Sequence, residues 1–160
     1  MPQTGKTENA IQFNYFMGDQ LINIKYRDGR KNFKLFKGAE KVFYNINSVV
    51  GYDWCVVVEG EMDVLALHEA GIKNAISVPN GATLNTNNLD YLDNCIDYLD
   101  DKTKIILAVD ADAAGQALRA EFIRRLGAEV CYLVDFNGQK DANEYLIENG
   151  AEALRNAIHA

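Results

Sequence analysis

Two prolines, two histidines and three cysteines are all that the 160 residues contain of those types, and each scarcity closes off a class of protein. With so little proline and no low-complexity tract, the chain is neither a disordered segment nor a proline-rich linker. Cys55, Cys95 and Cys131 stand far apart and are odd in number. Neither a disulfide framework nor a zinc site shared with His68 and His159 can be assembled from them. They read as buried, reduced thiols of a cytoplasmic protein. The apolar runs at 55–58 and 105–109 are far too short to cross a bilayer. The polar start Pro2-Gln3-Thr4-Gly5-Lys6 lacks the apolar stretch of a signal peptide, so no membrane partner is expected. Gly5-Lys6-Thr7 mimics the end of a phosphate-binding loop, without the opening glycine or the preceding strand.

What is present is ordinary globular composition, 48% hydrophobic and 24% charged, enough for one domain with a small appendage. The net charge of −7 argues against a protein that coats nucleic acid indiscriminately. That average hides an asymmetry. Residues 1–50 carry eight Lys and Arg against four Asp and Glu, whereas residues 51–160 carry eight against nineteen. A basic flank beside an acidic body suits contact with a polyanion on one side, provided cations offset the acidic side.

The first fifty residues predict β structure. Ile11 to Met17 and Leu21 to Tyr26 are rich in aromatic and β-branched residues and are separated by the turn signal Gly18-Asp19. After a second turn at 27–30, Lys31 to Phe36 resumes alternation. From Trp54 the pattern changes to buried strands alternating with helices. Strands are expected at 55–58, 75–78, 105–109 and 129–134. Helices are expected at 62–70, 89–99, 113–126, 141–149 and 151–160. In the first helix, Met62, Leu65, Ala66 and Ala70 are expected to share a face. The alternation predicts an α/β fold: a Rossmann-like parallel sheet of about four strands with helices on both faces, preceded by a small antiparallel β subdomain. The division falls at 1–50 and 51–160.

Sites in such sheets lie at the carboxyl ends of the strands. Glu59-Gly60 follows the first parallel strand, Asp110-Ala111-Asp112 follows the third, and Asp141 opens the helix after the fourth. Carboxylates brought together on one edge repel unless a cation neutralises them. Hard oxygen ligands suit Mg²⁺ or Mn²⁺. Asp112 and Asp141 are equally well placed as helix N-caps.

These segments resemble the TOPRIM family. Residues 56–67, an apolar strand followed by Glu59-Gly60 and then Asp63 in a helix, are similar to its first motif. Residues 106–115 are similar to its Asp-x-Asp motif with a trailing Ala-Gly. Lys140-Asp141-Ala142-Asn143 resembles a segment of phage primase-helicases and Twinkle-type proteins, and the turn at Asn80-Gly81 resembles theirs. Lys31 to Gly38 is similar to the basic segment that precedes TOPRIM in primases. The resemblance implies metal ligands at Glu59, Asp110 and Asp141, with Asp112 a ligand or an acid behind it. Glu59, Asp110 and Asp112 become the catalytic acids. Gly60, Asp63, Asn80, Gly81 and Asn143 become supporting residues. Lys31, Lys34, Lys37 and Lys140 become contacts to nucleotide or DNA, although strand alternation sets Lys31 and Lys34 on opposite faces, and Lys140 reads equally as a solvated surface lysine. The implied activity is Mg²⁺- or Mn²⁺-dependent synthesis of short RNA primers from ribonucleoside triphosphates on single-stranded DNA. Zinc-binding and helicase domains are the implied neighbours in a longer protein. A TOPRIM nuclease and a non-catalytic module that binds DNA or a partner are the alternatives.

Overall fold

The computed structural model describes residues 1–84 and 89–160. Its first sheet is antiparallel, in the order β1 (Ala10–Met17), β2 (Gln20–Asp28) and β3 (Phe33–Leu35). Gly18 turns the β1–β2 hairpin with φ of 61°, a left-handed conformation that glycine adopts without strain. The second sheet is parallel and has the order β5-β4-β6-β7, with β4 (Trp54–Val58), β5 (Ala75–Ser77), β6 (Lys104–Leu107) and β7 (Cys131–Leu133). The helices are α1 (Glu61–Glu69), α2 (Asp90–Asn94), α3 (Ile96–Leu99), α4 (Ala113–Leu126), α5 (Ala142–Asn149) and α6 (Ala151–His159).

The side chains of β4 explain the layering. Cys55 and Val57 point into one core, with Leu92, Leu99, Leu118 and Phe122 from α2, α3 and α4. Val56 and Val58 point into a second core, with Val64, Leu67, Leu154 and Ile158 from α1 and α6. A strand covered on both faces needs a continuous apolar run, and Cys55 to Val58 supplies one. Phe13 and Tyr15 of the small sheet enter the first of these cores. A backbone bridge between Tyr44 and Ser77 adds to the join, with Tyr44 N–H donating to Ser77 at 2.8 Å. Among the described residues no helix is long and apolar enough to cross a membrane.

Three details depart from the expectations. In α1, Val64 and Leu67 are buried while Leu65 is 45% exposed. The helix packs on the sheet on one side and on α5 and α6 on the other, so a single apolar face does not describe it. The helix expected at 89–99 breaks at Cys95, whose φ and ψ of −113° and 9° are not helical. The break turns Cys95 into the core and leaves Ile96 at the surface. The fourth strand is only three residues long. It lies at the sheet edge, where Tyr132 and Leu133 have one neighbouring strand and stay half-exposed.

One polar cluster joins the two sheets. The Lys25 ammonium donates to Glu61 Oε1 at 2.7 Å and to the Pro79 carbonyl at 2.8 Å. The Tyr15 hydroxyl donates to the same Glu61 oxygen. Lys25 and Glu61 are both buried. Burial, followed by the charge of Glu61, pushes the Tyr15 phenol far above its ordinary range, so it remains a proton donor. Removing one member leaves the other charge buried and alone, which costs about 3–5 kcal/mol, whereas an apolar pair of similar volume costs far less. Glu61→Ala and Lys25→Met are each expected to lose stability on that scale. The double variant Lys25→Met/Glu61→Leu should lose less than either single change. Urea unfolding of the three proteins checks the order.

Candidate metal centre

The parallel strands and the helices after them bring four acidic side chains to one sheet edge. Glu59 follows β4, and Asp63 lies in the first turn of α1. Asp110 follows β6, and Asp141 is the N-cap of α5. One carboxylate oxygen from each of Asp63, Asp110 and Asp141 lies within 4.8 Å of the other two. Oxygens around Mg²⁺ at about 2.1 Å stand about 3–4 Å apart. The three side chains therefore need only a small inward movement to share one ion, and all three donors are hard oxygens. The residues present fit a divalent cation.

Asp63 is the member that sequence reading undervalued. It was expected to support the site, yet its carboxylate stands inside the group. Its Oδ1 also accepts from the Asn143 amide at 3.0 Å, tying α1 to the start of α5. Glu59, expected as a ligand, stands beside the three. Its Oε1 accepts from the Ala82 amide at 3.1 Å, and its Oε2 accepts from the Asp110 amide. Glu59 thus braces the loops after β5 and β6, next to the three clustered carboxylates. Asp112 caps α4, accepting from Gly115 N–H at 2.8 Å. Asp141 caps α5, accepting from Glu144 N–H at 2.9 Å, while also joining the acidic group. For Asp141, capping and site membership are compatible.

The basic residues separate in the same way. The Lys140 ammonium lies 3.6 Å from Asp110 Oδ2 and offsets part of the acidic charge. The N-terminal lysines do not converge on this edge. Lys31, with φ of 62°, lines a separate groove with Arg27 and Asp28. Lys34 lies over the Phe36 ring, and Lys37 is exposed. The lysine in the groove beside Glu59 is Lys25, together with Phe33, Asn80 and Gly81. Its signal in the sequence was weak: it shares the inward alternation of Phe13 and Tyr15, but only the strand register makes that visible.

Charge crowding shows in the protonation of the site. Burial, and then the charge of Asp141, pushes the Asp63 carboxyl up to about 7. Burial pushes Glu59 up to about 7 against the opposing hydrogen bond from the Asp110 amide. Asp110 is raised mainly by burial, with Lys140 opposing. These carboxyls hold protons more tightly in the folded chain than in the unfolded one. Their stabilising contribution is therefore complete below the ordinary carboxylate range and is lost as pH rises toward 7. The metal-free protein is expected to lose about 3 kcal/mol through this window, on the order of 10 °C in melting temperature. Asp63→Asn should flatten that fall, and Mg²⁺ or Mn²⁺ should raise the melting temperature more at pH 8 than at pH 5. Thermal unfolding in EDTA and in each metal tests both statements.

Residues 56–146 match a family described as Toprim-like. The chain is 37% identical to a primase homolog protein of Arabidopsis thaliana, over 94% of this chain and 50% of that one. It is 34% identical to the Arabidopsis thaliana Twinkle homolog protein, chloroplastic/mitochondrial, over 94% of this chain and 24% of that one. It thus spans half the length of the first relative and a quarter of the second. Among solved structures, the primase fragment of the bacteriophage T7 primase-helicase superposes with a TM-score of 0.75 at 26% identity, covering 89% of this chain and 59% of that one.

Proposed function

The chain belongs to the Toprim-like family, and from that premise we propose that it is the catalytic core of a primase or primase-helicase, making short RNA primers on single-stranded DNA. The observation that carries this reading is the meeting of Asp63, Asp110 and Asp141 at the carboxyl edge of the parallel sheet. Relatives named as primases and a primase-helicase fragment of the same fold support it.

In this reading Asp110 and Asp141 hold Mg²⁺ or Mn²⁺ with Asp63, and Glu59 and Asp112 fix the loops that present them. A bound divalent ion supplies charge neutralisation and polarisation of a phosphoryl oxygen. Lys140 moderates the repulsion among the carboxylates and stands at the edge of the site, where it could touch phosphate. Lys31, Lys34 and Lys37 meet the template or nucleotide away from the acidic edge, and Phe33 and Lys25 line the groove between. Residues 1–50 serve as a basic subdomain of the polymerase core, and residues 51–160 as the TOPRIM domain. The partners are single-stranded DNA and ribonucleoside triphosphates, with zinc-binding and helicase domains in the longer protein. The compartment in this reading is the cytoplasm, with an organelle the alternative that the Twinkle homolog's name raises.

The test is template-dependent synthesis of oligoribonucleotides with Mn²⁺ or Mg²⁺, by this chain and by the longer protein that contains it. Incorporation that requires template and metal upholds the proposal. Metal-dependent strand cleavage without incorporation would make the site a nuclease. Absence of divalent-cation binding in calorimetry would make it a non-catalytic module.

A further inference from the structure

Four strands form the edges of the two sheets, and three of them are protected. β3, β5 and β7 are each three residues long. β3 carries Lys34 between Lys31 and Lys37, and lysine on an edge deters another strand. The free side of β5 is taken by the segment at Tyr44 and Asn45. Besides the Tyr44–Ser77 bridge, Asn45 Nδ2 donates to the Ala75 carbonyl at 3.0 Å. β7 lies between Glu129 and Asp135.

β1 has none of these devices. Its eight residues, Ala10 to Met17, include no charge and no proline. The register shift in the hairpin places its extra residue, Ile22, on β2, so β1 itself stays regular. Among the described residues, the backbone of β1 is hydrogen-bonded to β2 alone. Alternate residues of an antiparallel strand turn their N–H and C=O to the other side, so β1 offers a row of unused donors and acceptors. Gln12, Asn14 and Phe16 are exposed along it, on the face opposite Phe13 and Tyr15. Ile11 and Leu21 add half-exposed apolar surface at its ends.

We propose that β1 pairs with β1 of a second copy of this chain, antiparallel about a two-fold axis, joining two three-stranded sheets into one of six strands. Charge selects this occupant. Chains of net charge −7 repel one another. A self-paired strand sets residues beside their own counterparts, so a charge on β1 would meet its like. β1 carries none, and it lies in the half of the chain where Lys and Arg outnumber Asp and Glu. Asn14 is near the middle of the strand, so the axis brings it opposite or diagonal to Asn14 of the other copy. The axis is perpendicular to the joined sheet. Phe13 and Tyr15 therefore point to the same side in both copies, and the two metal edges share that side.

The test is sedimentation equilibrium of the chain over a range of concentrations. A monomer–dimer equilibrium is expected, weakened at least tenfold in Gln12→Lys/Asn14→Lys. Both positions are exposed, so melting temperature should stay within about 2 °C and Mn²⁺ affinity within twofold. An equal mixture of Asn14→Lys and Asn14→Asp chains should associate at least threefold more tightly than either variant alone. A chain that stays monomeric throughout overturns the proposal and leaves the edge to a strand of another protein. A dimer that tolerates both lysines overturns it in favour of a different surface. A dimer weakened by the lysines but indifferent to the Lys/Asp mixture overturns the self-pairing, because β1 would then meet another segment of the second copy.

Discussion

Gly115→Ala is expected to destabilise the protein by about 3 kcal/mol or more, on the order of 10 °C in melting temperature. Helix propensity alone predicts the opposite sign, since alanine is favoured over glycine inside a helix by about 1 kcal/mol. The reversal comes from space. A Cβ on Gly115 would lie 2.1 Å from the Asp110 carbonyl oxygen and 2.9 Å from Glu59 Oε2. The first of these contacts is backbone, so no rotamer change relieves it. Either α4 slides or the loop after β6 moves, and the second movement breaks the hydrogen bond from the Asp110 amide to Glu59. Divalent-cation affinity should therefore fall along with stability. Thermal unfolding and calorimetry of this single variant measure both, and a melting temperature equal to or above that of the unsubstituted chain would refute the close-packing argument.

Asp110→Asn is expected to lower primer synthesis at least ~100-fold, because an ion at a phosphoryl centre is worth several kcal/mol. The same change should raise stability in EDTA by about 1 kcal/mol, because it removes one charge from a crowded, partly buried group. Opposite effects on activity and stability distinguish a functional cluster from a structural one. Asp63→Asn should behave alike. Asp112→Asn retains a cap for α4 and should lose far less. Steady-state synthesis assays and unfolding curves on the three proteins decide whether the ranking holds.

Much of this was readable from residues alone where a local rule and the tertiary environment agree. The run Cys55 to Val58 is apolar because both faces of β4 are covered. Ala113 to Leu126 has a capping Asp112 before it and Gly127 after it, and the helix keeps those bounds. The α1 pattern misled because a helix packed on two sides has no single stripe, so Leu65 was placed inside and Val64 overlooked. Asp63 was ranked below Glu59 because proximity to a strand end is visible in sequence, whereas the reach of a side chain from the next helical turn is not. Lys25 was hidden for a related reason. A lysine in an amphipathic strand reads as solvent-facing until register sets it beside Phe13 and across from Glu61.

The Lys25–Glu61–Pro79 contact bears on how this gene can be cut and recombined. A product begun at residue 51 would keep every carboxylate of the metal edge, yet Glu61 would lose both the ammonium and the hydroxyl that meet it, and the Pro79 carbonyl would lose its donor. Hairpin and parallel sheet therefore have to travel together, whether an engineer or evolution moves them. Grafts between relatives should keep residues 15, 25 and 61 as one inherited set.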